Sequence, residues 1–197
     1  MNDNPEILFP VIMKVPADER LPRGKEQVRT LSRLARQAAR VSAEKSGLAL
    51  SGFPKNDDGA PIPAHGIHWS ISHKTDYVSG VVATGSVGID IERMRKVSCA
   101  IMEYIADDQE WRLIGGKAPV AFFRFWTAKE AVLKAMGVGF TGLSHCRILQ
   151  VIDDGCLAAG YDKKHFIVHQ RWFTRDHIAA ITGPAMKKDR SIQWTFI

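Results

Sequence analysis

Cysteine is scarce in this chain of 197 residues: only Cys99, Cys146 and Cys156 occur, in no metal-ligand spacing. An odd, sparse set argues against a disulfide framework and fits reduced thiols in a cytosol. No apolar run reaches the roughly 20 residues that a membrane span needs. The stretch Met1-Asn2-Asp3-Asn4-Pro5-Glu6 carries no positive charge ahead of the short apolar segment that follows, so no signal peptide is expected and a cytoplasmic location is. Low-complexity segments and internal repeats are absent. So are the G-x-S-x-G elbow of serine hydrolases and the G-x-x-x-x-G-K-[ST] loop of many nucleotide hydrolases. No motif of stacking aromatics points to nucleic acid.

Basic charge and apolar content are what the chain does have. Twenty-seven Lys and Arg against 21 Asp and Glu give a net charge of +6 and a pI near 9.3, which favours an anionic partner. At 45% hydrophobic residues the chain can bury a core as one domain or two small ones. Ile7 to Val15 reads as a buried strand broken at Pro10. Helical spacing runs from Lys25 to Ser46 and stops at Gly47, with Val28, Leu31, Leu34, Ala35, Ala38 and Val41 as its apolar stripe. Arg29, Arg33, Arg36 and Arg40 form a basic stripe on the same helix. It reads either as a surface for phosphate or an acidic protein, or as an ordinary solvated face.

Ser51 to His65 is rich in Pro, Asn, Asp and Gly and reads as a loop. Ile67 to His73 and Tyr77 to Thr84 read as a hairpin turning at Lys74-Thr75-Asp76, and Val87 to Glu92 as a third strand. Val97 to Ile114 reads as one irregular helix ended by Gly115-Gly116. Pro119 to Met136 is a strongly apolar helix with Pro at its start and Gly137 at its end. Strands are expected at Cys146 to Ile152, His165 to Phe173, His177 to Ile181 and Ile192 to Ile197. The fold class is α+β, with a first half over 1–86 and a second over 87–197.

Three constellations carry chemistry. In Gly88-Ile89-Asp90-Ile91-Glu92, strand alternation sends Ile89 and Ile91 to one face and Asp90 and Glu92 to the other, about 7 Å apart at Cα. Two carboxylates on one face repel unless a cation lies between them, and oxygen-only ligands suit Mg²⁺. The plain alternative is that both are strand-end acids paired with Arg93 or Arg95. In the apolar helix, Glu130 and Lys134 share a face with Trp126 one turn back. Glu130 there is either a third oxygen ligand or half of an intrahelical pair. The third constellation, Ser70-Ile71-Ser72-His73, offers hydroxyl and imidazole groups to phosphate oxygens; adjacent strand residues point apart, which disfavours a Ser–His nucleophile.

Taken together, Gly88-Ile89-Asp90-Ile91-Glu92, Trp126-Thr127-Ala128-Lys129-Glu130-Ala131-Val132-Leu133-Lys134, Ser70-Ile71-Ser72-His73 and Gly59-Ala60-Pro61 resemble, in order and spacing, the signatures of the Sfp-type 4′-phosphopantetheinyl transferases. The resemblance covers Gly59 to Lys134. It departs at Ala60, where some members carry a lysine that touches the coenzyme. It implies two similar α/β halves about a pseudo-twofold axis, with coenzyme A in the cleft between them. The implied reaction is Mg²⁺-dependent transfer of 4′-phosphopantetheine from coenzyme A to a serine of an apo acyl or peptidyl carrier protein, releasing adenosine 3′,5′-bisphosphate. Asp90, Glu92 and Glu130 are then implied as metal ligands, with Glu130 also the general base. Ser72, His73, Lys129 and Lys134 are implied contacts of the coenzyme, Lys134 also assisting the leaving group. Arg29 and Arg36 are the implied holders of the 3′-phosphate. The chain is expected to act as a monomer, with no nucleic-acid or membrane partner. The rival reading is a non-enzymatic basic module that binds an acidic protein or nucleic acid.

Overall fold

The computed structural model describes residues 7–57, 59–183 and 191–197; the N-terminal stretch read for a signal lies outside them. Two long helices organise it, and both start and stop where the sequence is punctuated. Helix α1, Lys25–Ser46, ends on Gly47 in the left-handed conformation, which only glycine adopts at little cost. Its inner face buries Leu31, Leu34, Ala35, Ala38, Ala39 and Ala43, while Val28, assigned to the apolar stripe, is exposed.

Strand β1, Val11–Lys14, precedes α1. Strands β2, His68–His73, and β3, Tyr77–Ala83, form the expected hairpin. Strand β4, Gly88–Arg93, leads into a region expected to be one helix. That region is two short helices, α2 (Cys99–Ile105) and α3 (Asp108–Arg112). The break has a local cause: Asp107 caps α3 through the Glu110 amide, and the Glu110 side chain reaches back to the Asp107 amide. The D-x-x-E spacing of that reciprocal cap was visible in the sequence.

Helix α4, Pro119–Met136, is buried nearly all round. After it come β5 (Cys146–Asp153), β6 (Cys156–Tyr161), β7 (Lys164–Trp172), β8 (His177–Gly183) and the short β9 (Thr195–Phe196). Strand β6 was not expected: Cys-Leu-Ala-Ala-Gly-Tyr lacks the β-branched residues that mark strands. It forms because hairpin pairing with both β5 and β7 outweighs that weak preference.

The strands make two sheets, ordered β2-β3-β1-β9 and β4-β8-β7-β6-β5. Helix α1 lies on the first and α4 on the second. The chain's last strand, β9, returns to pair in parallel with β1. The free edges of the sheets, β2 and β4, face each other, joined by side chains where a backbone ladder would otherwise run. Ser70 Oγ accepts from the Ile89 amide at 3.1 Å, and Ser72 Oγ accepts from the Ile91 amide at 3.3 Å. Val81, Ala83, Val87, Ile89 and Ile181 pack behind this seam.

Each helix sits on its sheet over a glycine. A Cβ on Gly80 would lie 2.3 Å from the Ala39 amide nitrogen; one on Gly88 would lie 1.9 Å from the Ala131 carbonyl oxygen. Gly88 thus belongs to the acidic strand motif because α4 leaves no room for a side chain there. Gly88→Ala should therefore push α4 off β4 and cost about 1–3 kcal/mol in urea unfolding. Gly85→Ala, in open space, serves as the control; equal stabilities for the two variants would contradict this close packing.

Candidate active site

The seam between the sheets positions the acids. Asp90 and Glu92 point from the β4 edge toward α4 and are 3% and 7% exposed. Asp90 Oδ1 accepts from Ser72 Oγ at 2.7 Å and from Lys134 Nζ at 2.7 Å. Lys134 also donates to the Ile89 carbonyl at 3.0 Å. Glu92 Oε1 accepts from Trp126 Nε1 and pairs with Lys74, both at 2.8 Å. Glu130, one turn before Lys134, opens into the same space. A cavity of about 330 Å³ is lined by Asp90, Glu92, Glu130, Ser72, His73, Lys74 and Lys134. It adjoins a larger one of about 690 Å³ that shares Lys55, Ile71, Glu130 and Lys134 and extends past Ala60, Pro61, Val138 and Phe140.

Electrostatics follow from this crowding. Burial, then the neighbouring Asp90 charge, raise the Glu130 carboxyl above its ordinary pKa against the pull of Lys134. Glu92 is raised by the same two causes, opposed by Lys74 and Trp126. His73 is held below its ordinary value by burial and then by Lys134, Lys74 and Lys55. Burial and the Arg36 charge likewise lower Lys55.

The structure brings together Ser72, His73, Asp90, Glu92, Glu130 and Lys134 of the sequence-derived set. It does not bring Lys129 to them. Lys129 is 2% exposed, and its Nζ pairs with Glu110 at 2.7 Å and donates to the Ile105 carbonyl. The reason is helical geometry: neighbours on a helix point about 100° apart, so a helix that turns Glu130 to the cleft turns Lys129 into the core. Glu110, missed in the sequence, is the polar group that receives it, and its Oε1 also accepts from the Ile148 amide at 2.8 Å.

Along α1, Arg33 is tied to Glu19 and Arg40 lies over the Phe53 ring at 5.5 Å. Arg36 acts on Lys55 at the cleft. Arg29 lies with Arg23 and Lys25 near the start of the helix, around a separate open hollow. Lys74 and Lys55 were also missed. Lys74 follows Ser70 and Ser72 at strand parity, the signal that placed it on the acid-facing side.

Among the described residues no three His, Cys, Asp or Glu side chains form a ready metal-binding group. The acids share a cavity, but Lys134 and Lys74 hold an oxygen each of Asp90 and Glu92 in place of a preformed cage. The donor set still fits a hard cation. Its oxygens are all carboxylate, and Asp90 Oδ2 is buried with no hydrogen-bond partner.

Residues 86–182 match the model of the 4′-phosphopantetheinyl transferase superfamily. This region of the chain, about half of it, is similar to that superfamily. It is 36% identical over 91 residues to the 4′-phosphopantetheinyl transferase gsp of Aneurinibacillus migulanus, covering 44% of this chain and 38% of that relative. To the 4′-phosphopantetheinyl transferase psf-1 of Bacillus pumilus it is 34% identical over 99 residues, or 47% of this chain and 42% of the relative. A putative 4′-phosphopantetheinyl transferase of Haemophilus influenzae matches at 29% over 187 residues, 86% of this chain and 75% of the relative. The chain thus spans about two fifths of the first and second of these and three quarters of the third. The matched region covers the Gly88–Glu92 and Trp126–Lys134 motifs, and these likenesses give no support to the basic binding module. No helix among the described residues is long and apolar enough to cross a membrane.

Two outcomes are expected. Lys129→Met strands Glu110 as a buried charge and should cost about 3–5 kcal/mol in unfolding free energy, whereas adding Glu110→Gln should recover much of it; a neutral Lys129→Met would refute the buried pair. The Cys146 thiol is pushed up to about 12 by burial, so it stays protonated until the pH approaches that value. At pH 8 a maleimide should label the exposed Cys99 quickly and Cys146 only on unfolding, as read by peptide mass.

Proposed function

We propose that this chain transfers the 4′-phosphopantetheine group of coenzyme A to a serine of an apo carrier protein, with Mg²⁺ as cofactor. The observation that carries the reading is the Asp90–Glu92–Glu130 cavity, with the buried Asp90 Oδ2 left without a hydrogen-bond partner and lysines on either side. Asp90, Glu92 and Glu130 would hold the metal. Mg²⁺ bound there supplies charge neutralisation to the pyrophosphate oxygens.

The rest falls to the chain's own residues. Lys134, fixed by Asp90 and the Ile89 carbonyl, places its ammonium where charge grows on the departing nucleotide phosphate. Ser72 serves through Asp90, whose Oδ1 it fixes. His73, among three lysines, faces the phosphate region. Glu130, made more basic by burial and Asp90, accepts the proton of the carrier serine. The serine Oγ–P bond forms, the P–O bond to adenosine 3′,5′-bisphosphate breaks, and the proton rests on Glu130. Arg36, whose charge reaches Lys55 on the lining of this cleft, is the better candidate for the nucleotide's outer phosphate than Arg29, which lines a separate hollow.

The two halves, 1–86 and 87–197, are read as related by a pseudo-twofold axis; each lays one long helix on a sheet over a glycine, Gly80 or Gly88. Monomeric, cytoplasmic action is part of the same reading.

Incubation with coenzyme A, Mg²⁺ and a panel of apo carriers should add one phosphopantetheine to a carrier by intact mass, and chelation should stop it. Glu130→Gln should lower turnover by about 100-fold or more with the fold intact. Turnover that ignores the chelator, or a fully active Glu130→Gln, would overturn the assignment.

A further inference from the structure

Glu92 and Lys74 are unequal partners. The Glu92 side chain is 9% exposed and that of Lys74 36%. Glu92 is fixed: its Oε1 accepts from Trp126 Nε1 at 2.8 Å, and its backbone lies in the β4–β8 ladder. Lys74 reaches the same oxygen at 2.8 Å from the turn of the β2–β3 hairpin. That turn is built. The Lys74 amide donates to the Tyr77 carbonyl at 2.8 Å. Asp76, two residues on, pairs with Arg20 at 3.3 Å and with Arg93, the residue after Glu92, at 3.1 Å. The turn is thus tied to the end of β4 that carries Glu92. The ammonium is delivered to this carboxylate, while the long arm that bears it is free to swing.

Lys134 is held differently. It keeps two acceptors, Asp90 Oδ1 and the Ile89 carbonyl, and Asp90 Oδ2 has no hydrogen-bond partner. Asp90 can therefore take a divalent cation with Lys134 in place. Glu92 cannot do so with Lys74 on it, because an ammonium and a divalent cation sharing one carboxylate in a partly desolvated site repel. Lys74 must give way, and a pyrophosphate entering the same cavity offers its ammonium new oxygens.

We propose that Lys74 is a built-in counter-ion that competes for Glu92, so that the chain takes up its divalent cation tightly only together with the anionic donor. The inference rests on the transferase reading for the identity of cation and donor. Lys74 acts through Glu92 and is a positioning residue. By reciprocity the cation tightens the donor by the same factor.

The test titrates the full chain with Mn²⁺, a paramagnetic stand-in for Mg²⁺ whose free fraction is read by electron spin resonance, with and without coenzyme A. One coenzyme concentration throughout cancels the ion held by free coenzyme. In the wild type, coenzyme A should tighten Mn²⁺ by about fivefold or more. Lys74→Met should tighten Mn²⁺ alone by about fivefold and reduce the gain from coenzyme A by a similar factor. It should also melt below the wild type without the ion, since Glu92 is left as an unpaired buried charge, and gain more melting temperature from Mn²⁺ than the wild type does. Lys74→Arg, which keeps the charge, and Lys163→Met, which removes one from the exposed β6–β7 turn, should not tighten the ion. If Lys74→Met does not fold, Lys74→Gln is read in its place. Unchanged or weaker Mn²⁺ binding in the variant, or a gain from coenzyme A that is unchanged in the variant or missing in the wild type, would overturn the role of Lys74 and leave the transferase reading to the carrier assay. Wild-type protein that shows the coupling but modifies no carrier would remove the transferase reading alone. Wild-type protein that binds neither Mn²⁺ nor coenzyme A would remove both.

Discussion

A single carboxylate oxygen, Oδ1 of Asp90, holds three elements in one place. It takes a hydroxyl from β2 through Ser72 and an ammonium from α4 through Lys134, while its own backbone sits in β4. Burying a charge is costly unless it is paired and hydrogen-bonded, and here both conditions are met on one oxygen. The second oxygen is left without a partner. The group that fastens the two layers together therefore also carries an unsatisfied oxygen, the one that the proposed metal would take.

Helix α4 carries the same division along its length. Its sequence places charges on a surface that is otherwise apolar, and the three in its second half each have their own destination. Lys129 goes inward to Glu110, Lys134 goes to Asp90, and Glu130 goes to the open cavity. The buried Lys129–Glu110 pair also fastens β5 through the Ile148 amide. A motif lysine thus serves the frame that aims its neighbour. Such a pair adds little net stability over an apolar substitute, but losing one partner is expensive, so the two residues are coupled.

Much of this could be read from the sequence. The limits of α1 and α4 were legible because Gly47, Pro119 and Gly137 punctuate strong periodic runs, and the β2–β3 hairpin because its turn residues are polar and short. That Asp90 and Glu92 share one strand face, and Glu130 and Lys134 one helix face, was legible from alternation and spacing, whereas their meeting was implied only by the family resemblance. What stayed hidden depended on tertiary contacts. Strand β6 has little local preference of its own and is created by its neighbours. The break between α2 and α3 is the exception, since its reciprocal D-x-x-E cap is local and readable even inside an irregular apolar pattern. Lys129 was misplaced because a motif shows which residues are adjacent in the chain, whereas helical rotation decides which of them face the same way. Lys55 comes from a loop, where nothing local says which way a residue points, whereas Lys74 could have been placed by its strand parity with Ser70 and Ser72.

The serine seam has a mechanical consequence. A backbone ladder along β2 and β4 would have fused the sheets into one rigid surface, because each ladder bond is braced by the next. Hydroxyl groups on alternate residues give isolated stitches, each of which water can replace without disturbing its neighbour. Each sheet therefore keeps its own ladder, and the line where the two meet is held by side chains alone.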